Sequence, residues 1–275
     1  MNRGTSWRIG ALASLVALVV VAIGAGAGQS AFGSASQSGV LVAGTTDTVT
    51  NIDPAGNYDY GSFTVTNLIY QQLMGFPNGA KLQPVLATKC FAVSGNNRTW
   101  RCNLRRGVTF HDGSAFDSAD VKHSFDRVIK IADPSGISSL LGNLRNVRTN
   151  GRFAVTFNLK TPQSTWPLIL ATGAGFIVPN TYSGTKLQGN SSPQIGTGPY
   201  TLERYTPGQQ AVFEPYDDYW GPQARNDGLI SRTYAKSSTM KLALAMCEAG
   251  PRWLRFIFAV PISRSRVDSA RAVFE

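Results

Sequence analysis

The sequence predicts a mixed α/β fold, and three observations carry that prediction. Short runs rich in β-branched and aromatic residues alternate in and out, as in "VLVAG" (40–44), "TWRCNL" (99–104) and "FAVTFNLK" (153–160). Between them lie segments with helical spacing of apolar residues, "FTVTNLIYQQLMGF" (63–76) and "SADVKHSFDRVI" (118–129). Farther on, "LISRTYAKSSTMKLALAM" (229–246) reads as a strand followed directly by a serine-capped helix, one step of an α/β layer. At 275 residues, 43% hydrophobic and 15% charged, the chain can bury a core in one large domain or two ordinary ones.

The first 35 residues are a different material. A short basic head with Arg3 and Arg8 precedes the uncharged run "IGALASLVALVVVAIGAGAG" and then a small-residue region, "QSAFGSASQS". This is the layout of a secretory signal peptide over 1–35. An uncleaved membrane anchor is the alternative, because the apolar run approaches spanning length. No cysteine lies near its end, so lipid attachment at a cysteine is not supported. Either way the protein is expected to be exported, to a periplasmic or cell-surface location.

After the leader, strand 40–44 runs into a polar loop containing Asp53-Pro54, Tyr58 and Tyr60. The next segment places Val65, Leu68, Ile69 and Leu73 on one helical face. "NGAKLQPVLATK" is a turn and an extended stretch. It leads to a hairpin whose turn, Gly95-Asn96-Asn97, would set Cys90 directly across from Cys102. Trp100, Cys102 and Leu104 then share one face of the second strand. In an oxidising compartment the leading reading is a Cys90–Cys102 disulfide, with two reduced core cysteines as the alternative. Cys247 is left without a partner.

The segment "GVTFHDGSAFDSADVKHSFDRVI" (107–129) holds both histidines and four aspartates and invites a chemical reading. A metal site would need three or four convergent ligands, yet His111 sits in a turn and His123 on a helix, with no i, i+4 histidine pair. His111-Asp112-Gly113 reads as a turn, Asp117 or Ser118 as a helix cap, and Val121, Phe125, Val128 and Ile129 as one buried stripe. Asp120 and Asp126 fall off that stripe, where solvated or capping charges belong. No GxSxG, HExxH or phosphate-loop pattern occurs, so no metal, no cofactor and no catalytic residue is assigned. A secreted hydrolase stands only as the last alternative.

"GTGPYTLERYTPGQQAVFEPYDDYWG" (196–221) reads as a hairpin turning at Thr206-Pro207-Gly208-Gln209, with an aromatic cluster of Tyr216, Tyr219 and Trp220 at its end. Half of the net charge of +10 lies at the chain ends, in Arg3, Arg8 and the five arginines of the last 25 residues set against Asp268 and Glu275, which leaves about +5 on residues 36–250. Elsewhere only Arg105-Arg106 is an adjacent basic pair, and no basic helix interleaved with aromatics is present. Nucleic acid is therefore not expected as a partner. A weak attraction to anionic cell-wall or membrane surfaces is the milder consequence of the charge.

Several of these segments, in this order, resemble the extracellular solute-binding proteins of family 5, the peptide- and nickel-binding components of ATP-binding cassette importers. The resemblance covers about residues 40–247. It is most specific in the LRxGVxFHDGxxFxxxDV-like run Leu104–Val121 and in the GTGPY run Gly196–Tyr200. It implies a periplasmic-binding-protein-like first lobe with an inserted smaller α+β domain. The first lobe takes 36–73 and 191–247, and the insert takes 74–190. It also implies an oligopeptide or similar small solute as ligand and a membrane permease of the importer as partner. The HDG run then becomes structural, and the loop carrying Tyr58, Asp59, Tyr60 and Ser62 overlooks the ligand cleft.

The resemblance stops near Cys247, where relatives continue with a second lobe. Here residues 248–275, "EAGPRWLRFIFAVPISRSRVDSARAVFE", form an arginine-rich tail without that pattern. The second lobe is thus expected to be missing, through a truncated or frameshifted gene. The expected function is that of a solute receptor, or its remnant, binding peptide-like substrates. A non-functional exported fragment is the alternative.

Overall fold

The computed structural model describes residues 39–248, apart from 78 and 94, together with 255–258. The expected signal peptide and most of the tail lie outside the described residues.

Two sheets organise the described chain. The first has five strands in the order β11-β1-β10-β9-β8. These are β1 (Val40–Thr45), β8 (Tyr200–Thr206), β9 (Gln210–Pro215), β10 (Gly228–Thr233) and β11 (Arg255–Phe258). β1 runs parallel to both of its neighbours, in register Val40↔Gly228 on one side and Leu41↔Arg255 on the other. The β8–β9 hairpin closes where the Gln209 N–H donates to the Thr206 carbonyl at 3.0 Å, at the Pro-Gly turn read from the sequence. Between β10 and β11 stands helix α4 (Ser237–Glu248).

The strand β11 lies within 248–275, the stretch that the sequence reads as an arginine-rich tail without the second-lobe pattern. Its four residues, Arg-Phe-Ile-Phe, are a short aromatic and β-branched run that suits a sheet edge.

The second sheet is antiparallel, in the order β4-β5-β7-β6. Its strands are β4 (Ala87–Ala92), β5 (Thr99–Leu104), β6 (Leu144–Thr149) and β7 (Ala154–Leu159). Cys90 pairs with Cys102 across β4 and β5, and a disulfide joins them with α-carbons 4.1 Å apart. Trp100, Cys102 and Leu104 are buried on the predicted face, together with Val155, Phe157 and Leu159 of β7.

Against that face lies α2 (Ser118–Ile131). Asp117 caps it, and Asp120 returns a carboxylate oxygen to the Asp117 N–H at 2.8 Å, completing a capping box. Of the two expected roles, solvated or capping, Asp120 takes the capping one. It is buried, because its other oxygen also accepts the Asn180 N–H at 3.0 Å. Val121, Phe125 and Val128 are buried, and the Phe125 ring meets Phe157 edge-on. Ile129, predicted on the same stripe, is 42% exposed. At 3.6 residues per turn it stands about 80° round from Val121, at the stripe's margin.

Helix α1 (Tyr60–Ile69) begins earlier and ends sooner than its apolar spacing suggests. Tyr70 leaves helical geometry, and the carbonyls of Gln71, Gln72 and Leu73 accept N–H groups of Ile177, Leu86 and Val85 instead. Leu73 is buried, but from an extended segment that continues into β2 (Met74–Gly75), which pairs with β3 (Gln83–Pro84). The short α3 (Trp166–Ile169) places Trp166 in the same core as Phe157.

Candidate ligand-binding site

The loop that leads into α1 is built from short polar side chains that satisfy backbone groups. The Asp59 carboxylate accepts the Ser62 N–H and the Ser62 hydroxyl, each at 2.7 Å, and also the Thr50 hydroxyl. The Ser62 oxygen in turn accepts the Thr50 N–H at 3.0 Å. Asp59 is therefore the N-cap of α1, and Ser62 is fully buried behind it. Tyr58 and Tyr60 go the other way, 56% and 60% exposed. The Tyr58 ring stands edge-on to Phe63, with centroids 6.4 Å apart. Among the described residues neither phenol is hydrogen-bonded. The four candidates thus divide into two inward braces and two outward rings.

Behind this loop lies an ion pair that the sequence reading missed. Arg127 of α2 and Asp53 are both buried, and the guanidinium grips the carboxylate with Nη1 at 2.8 Å from Oδ1 and Nη2 on Oδ2. Nε and Nη2 also donate to the Ser183 and Lys186 carbonyls, at 2.8 and 3.0 Å. Asp53 further accepts the Ala55 N–H at 2.9 Å and the Gln188 N–H. It caps the 3₁₀ turn Pro54–Gly56, which delivers the chain to Tyr58. Nothing in the sequence pairs an aspartate before proline with an arginine 74 positions on and off the apolar stripe. Only the fold does.

The HDG run proves to be a clasp. Gly113, at φ 80°, makes the turn that its neighbours could not, and Asp112 accepts the Ser114 N–H and hydroxyl at 3.0 and 2.6 Å. The Gly196 N–H donates to His111 Nδ1 at 3.3 Å, so the proton sits on Nε2, which donates to the Gly198 carbonyl at 3.0 Å. Burial pushes the His111 pKa below the ordinary histidine value, consistent with this neutral tautomer. Tyr216 packs edge-on to the imidazole and donates to the Phe110 carbonyl at 2.8 Å. Tyr219 and Trp220 converge on Gln71, at 2.9 and 2.8 Å. Gly196 is needed for close approach, since a β-carbon there would lie 2.0 Å from the Ile69 carbonyl. His123 lies elsewhere, on α2. Among the described residues no group of three or more His, Cys, Asp or Glu side chains is placed to hold a metal ion.

The model of the family "Bacterial extracellular solute-binding proteins, family 5 Middle" matches residues 81–249, more than half of the chain. The chain belongs to the bacterial extracellular solute-binding proteins of family 5. This family consists of solute-binding proteins, not enzymes. Among curated family 5 relatives, the glutathione-binding protein GsiB of Pectobacterium atrosepticum is 28% identical over 85% of this chain and 44% of its own length. GsiB of Escherichia coli K12 is 29% identical over 78% and 41%. The chain therefore spans under half the length of these relatives. Among solved structures, the oligopeptide-binding protein AppA of Bacillus subtilis, in complex with a nonapeptide, superposes with TM-score 0.72 at 20% identity, over 86% of this chain and 46% of AppA. DppA of Helicobacter pylori, in complex with the peptide STSA, gives 0.69 at 23% identity, over 86% and 49%. These likenesses establish the periplasmic-binding-protein fold over about half of each neighbour. The family match ends at 249, close to where the motif resemblance ends in the sequence.

Proposed function

We propose that this chain is the solute-recognising component of an ATP-binding cassette importer, exported by its leader. In this reading it takes up a peptide-like solute, glutathione-sized or longer, and hands it to a membrane permease without catalysis or cofactor. The segment 74–190 serves as an inserted unit that braces the ligand-facing lobe. The observation that carries the reading is the pair of exposed tyrosines, Tyr58 and Tyr60, on a loop braced from behind by the buried Ser62 and the buried Asp53–Arg127 pair. A loop already held in place loses little conformational freedom on binding, and each ring offers an apolar face with a polar tip. Asp59 and Ser62 act by fixing the loop. An extended peptide would be held chiefly through its main chain, with side chains in tolerant pockets.

Calorimetry with glutathione and with mixed tri- to pentapeptides, carried to millimolar concentration, tests this. Because the described residues offer one wall for a ligand, the expected affinity is about millimolar, roughly 4 kcal/mol. It should fall about ten-fold in Tyr58→Ala and Tyr60→Ala while the unfolding temperature holds. Binding that ignores both tyrosines would remove the site. No binding of any of these probes would favour the non-functional fragment instead.

A further inference from the structure

The outer face of the four-stranded sheet, turned away from α2, has no part in the site described above. No aspartate or glutamate occurs from residue 60 to 111 or from 134 to 202, so all four strands lack carboxylates. The acidic residues of the intervening stretch, 112–133, lie on the HDG turn, on α2 and just beyond it, and α2 packs on the opposite face. The register places Phe91, Arg101, Thr156 and Arg148 in one row across β4, β5, β7 and β6. Lys89 stands two residues along β4 from Phe91, its ammonium 5.3 Å from that ring. Arg98, Arg145 and Lys160 extend the array. The Arg98 guanidinium donates to the Lys160 carbonyl at 2.8 Å, and the Lys160 ammonium donates to the Gly142 carbonyl at 2.8 Å. Among the described residues, none of these six cations is paired with a carboxylate.

The array is broad. Strands about 4.8 Å apart spread the row over roughly 14 Å, wider than one small anion can span. It also has an apolar end. Val93 shares the face of Phe91 by strand alternation, and at 53% exposed it stands at the hairpin's end. A water-soluble polyanion would have no use for Val93 and Phe91. A bilayer would seat them shallowly among its headgroups while the arginines and lysines meet phosphate.

We propose that this sheet face is a docking surface for an anionic phospholipid bilayer, independent of the ligand site. It would hold the inserted unit against the membrane with the β4–β5 hairpin tip lowermost.

The test is co-sedimentation of the full chain with vesicles of phosphatidylcholine and phosphatidylglycerol, 3:1. Attachment to pure phosphatidylcholine is subtracted, which removes the apolar contribution of the leader, and the leader's Arg3 and Arg8 are common to every variant compared. Lys89→Gln/Arg101→Gln/Arg148→Gln should weaken the anionic component about 100-fold, at roughly five-fold per cation. Lys81→Gln/Lys186→Gln/Lys236→Gln, with the same loss of net charge, should weaken it less than ten-fold. Phe91→Ser/Val93→Ser should weaken vesicle binding while leaving binding of soluble polyphosphate unchanged. Unfolding temperatures of all variants establish that each is folded. Equal losses in the two charge variants, polyphosphate binding as tight as vesicle binding, or no dependence on phosphatidylglycerol would each overturn the proposal.

Discussion

His111 and Gly198 are joined by a hydrogen bond from the imidazole Nε2 to the glycine carbonyl at 3.0 Å, which links the two most specific motifs of the chain. Because the Gly196 N–H needs an unprotonated Nδ1, the clasp requires neutral imidazole. Burial lowers the His111 pKa in the folded protein, so the unfolded state binds the proton more readily. This contribution to stability is complete above the unfolded value of about 6.5 and is lost as pH falls through the lower folded value. The expected outcome is a melting temperature that drops between pH 7 and pH 5. His111→Asn should reduce that slope, leaving the same-sign part from His123, whose pKa is also lowered by burial.

The Asp53–Arg127 pair gives a larger expected loss. Asp53→Asn leaves a buried guanidinium without its counter-charge, and Arg127→Met leaves a buried carboxylate. Each should cost about 3–5 kcal/mol in urea denaturation. The double variant should cost clearly less than the sum, because neither charge is then stranded.

At the tyrosine loop, stability and binding should separate. Asp59→Ala removes the N-cap of α1 and should cost about 1 kcal/mol. Tyr60→Ala, with its exposed ring, should stay within about 0.5 kcal/mol of wild type. Equal destabilisation by the two would mean that the ring packs in solution.

For the hairpin, Cys90→Ser/Cys102→Ser opens a loop closed over a separation of 12 residues. The chain-entropy account puts the loss at about 3 kcal/mol. Matching denaturation curves with and without reductant for the wild type would rule the bond out as a stabilising element.

Much of this fold was legible because its signals are local. The Cys90↔Cys102 register follows from counting outward from a turn, and the capping of α2 from an aspartate placed before an apolar stripe. What stayed hidden depends on partners distant in sequence. The sequence leaves Asp120 as solvated or capping, and its burial follows from Asn180, 60 residues on; the apolar spacing runs α1 past Tyr70, where residues 85–87 and 177 take up the backbone instead. Within the candidate site, the sequence singled out the loop but could not divide it. Tyr58, Asp59, Tyr60 and Ser62 are all plausible ligand contacts by type. Only the hydrogen bonds among Thr50, Asp59 and Ser62 show that Asp59 and Ser62 are taken up in bracing the loop.

The position of β1 between β10 and β11 has a consequence for how the molecule comes into being. The earliest strand of the sheet finds both of its neighbours near the far end of the chain. Until residue 233 is available, β1 has no edge to join, whereas the four-stranded sheet draws all its strands from 87–159. Long-range pairing of this kind pays its loop-closure entropy late. The expected order is that β5 and β7 become protected first and β1 last, which pulsed hydrogen exchange during refolding would resolve. In the interval residues 40–45 wait with both strand edges open, and the sheet is the last part of the molecule to lock.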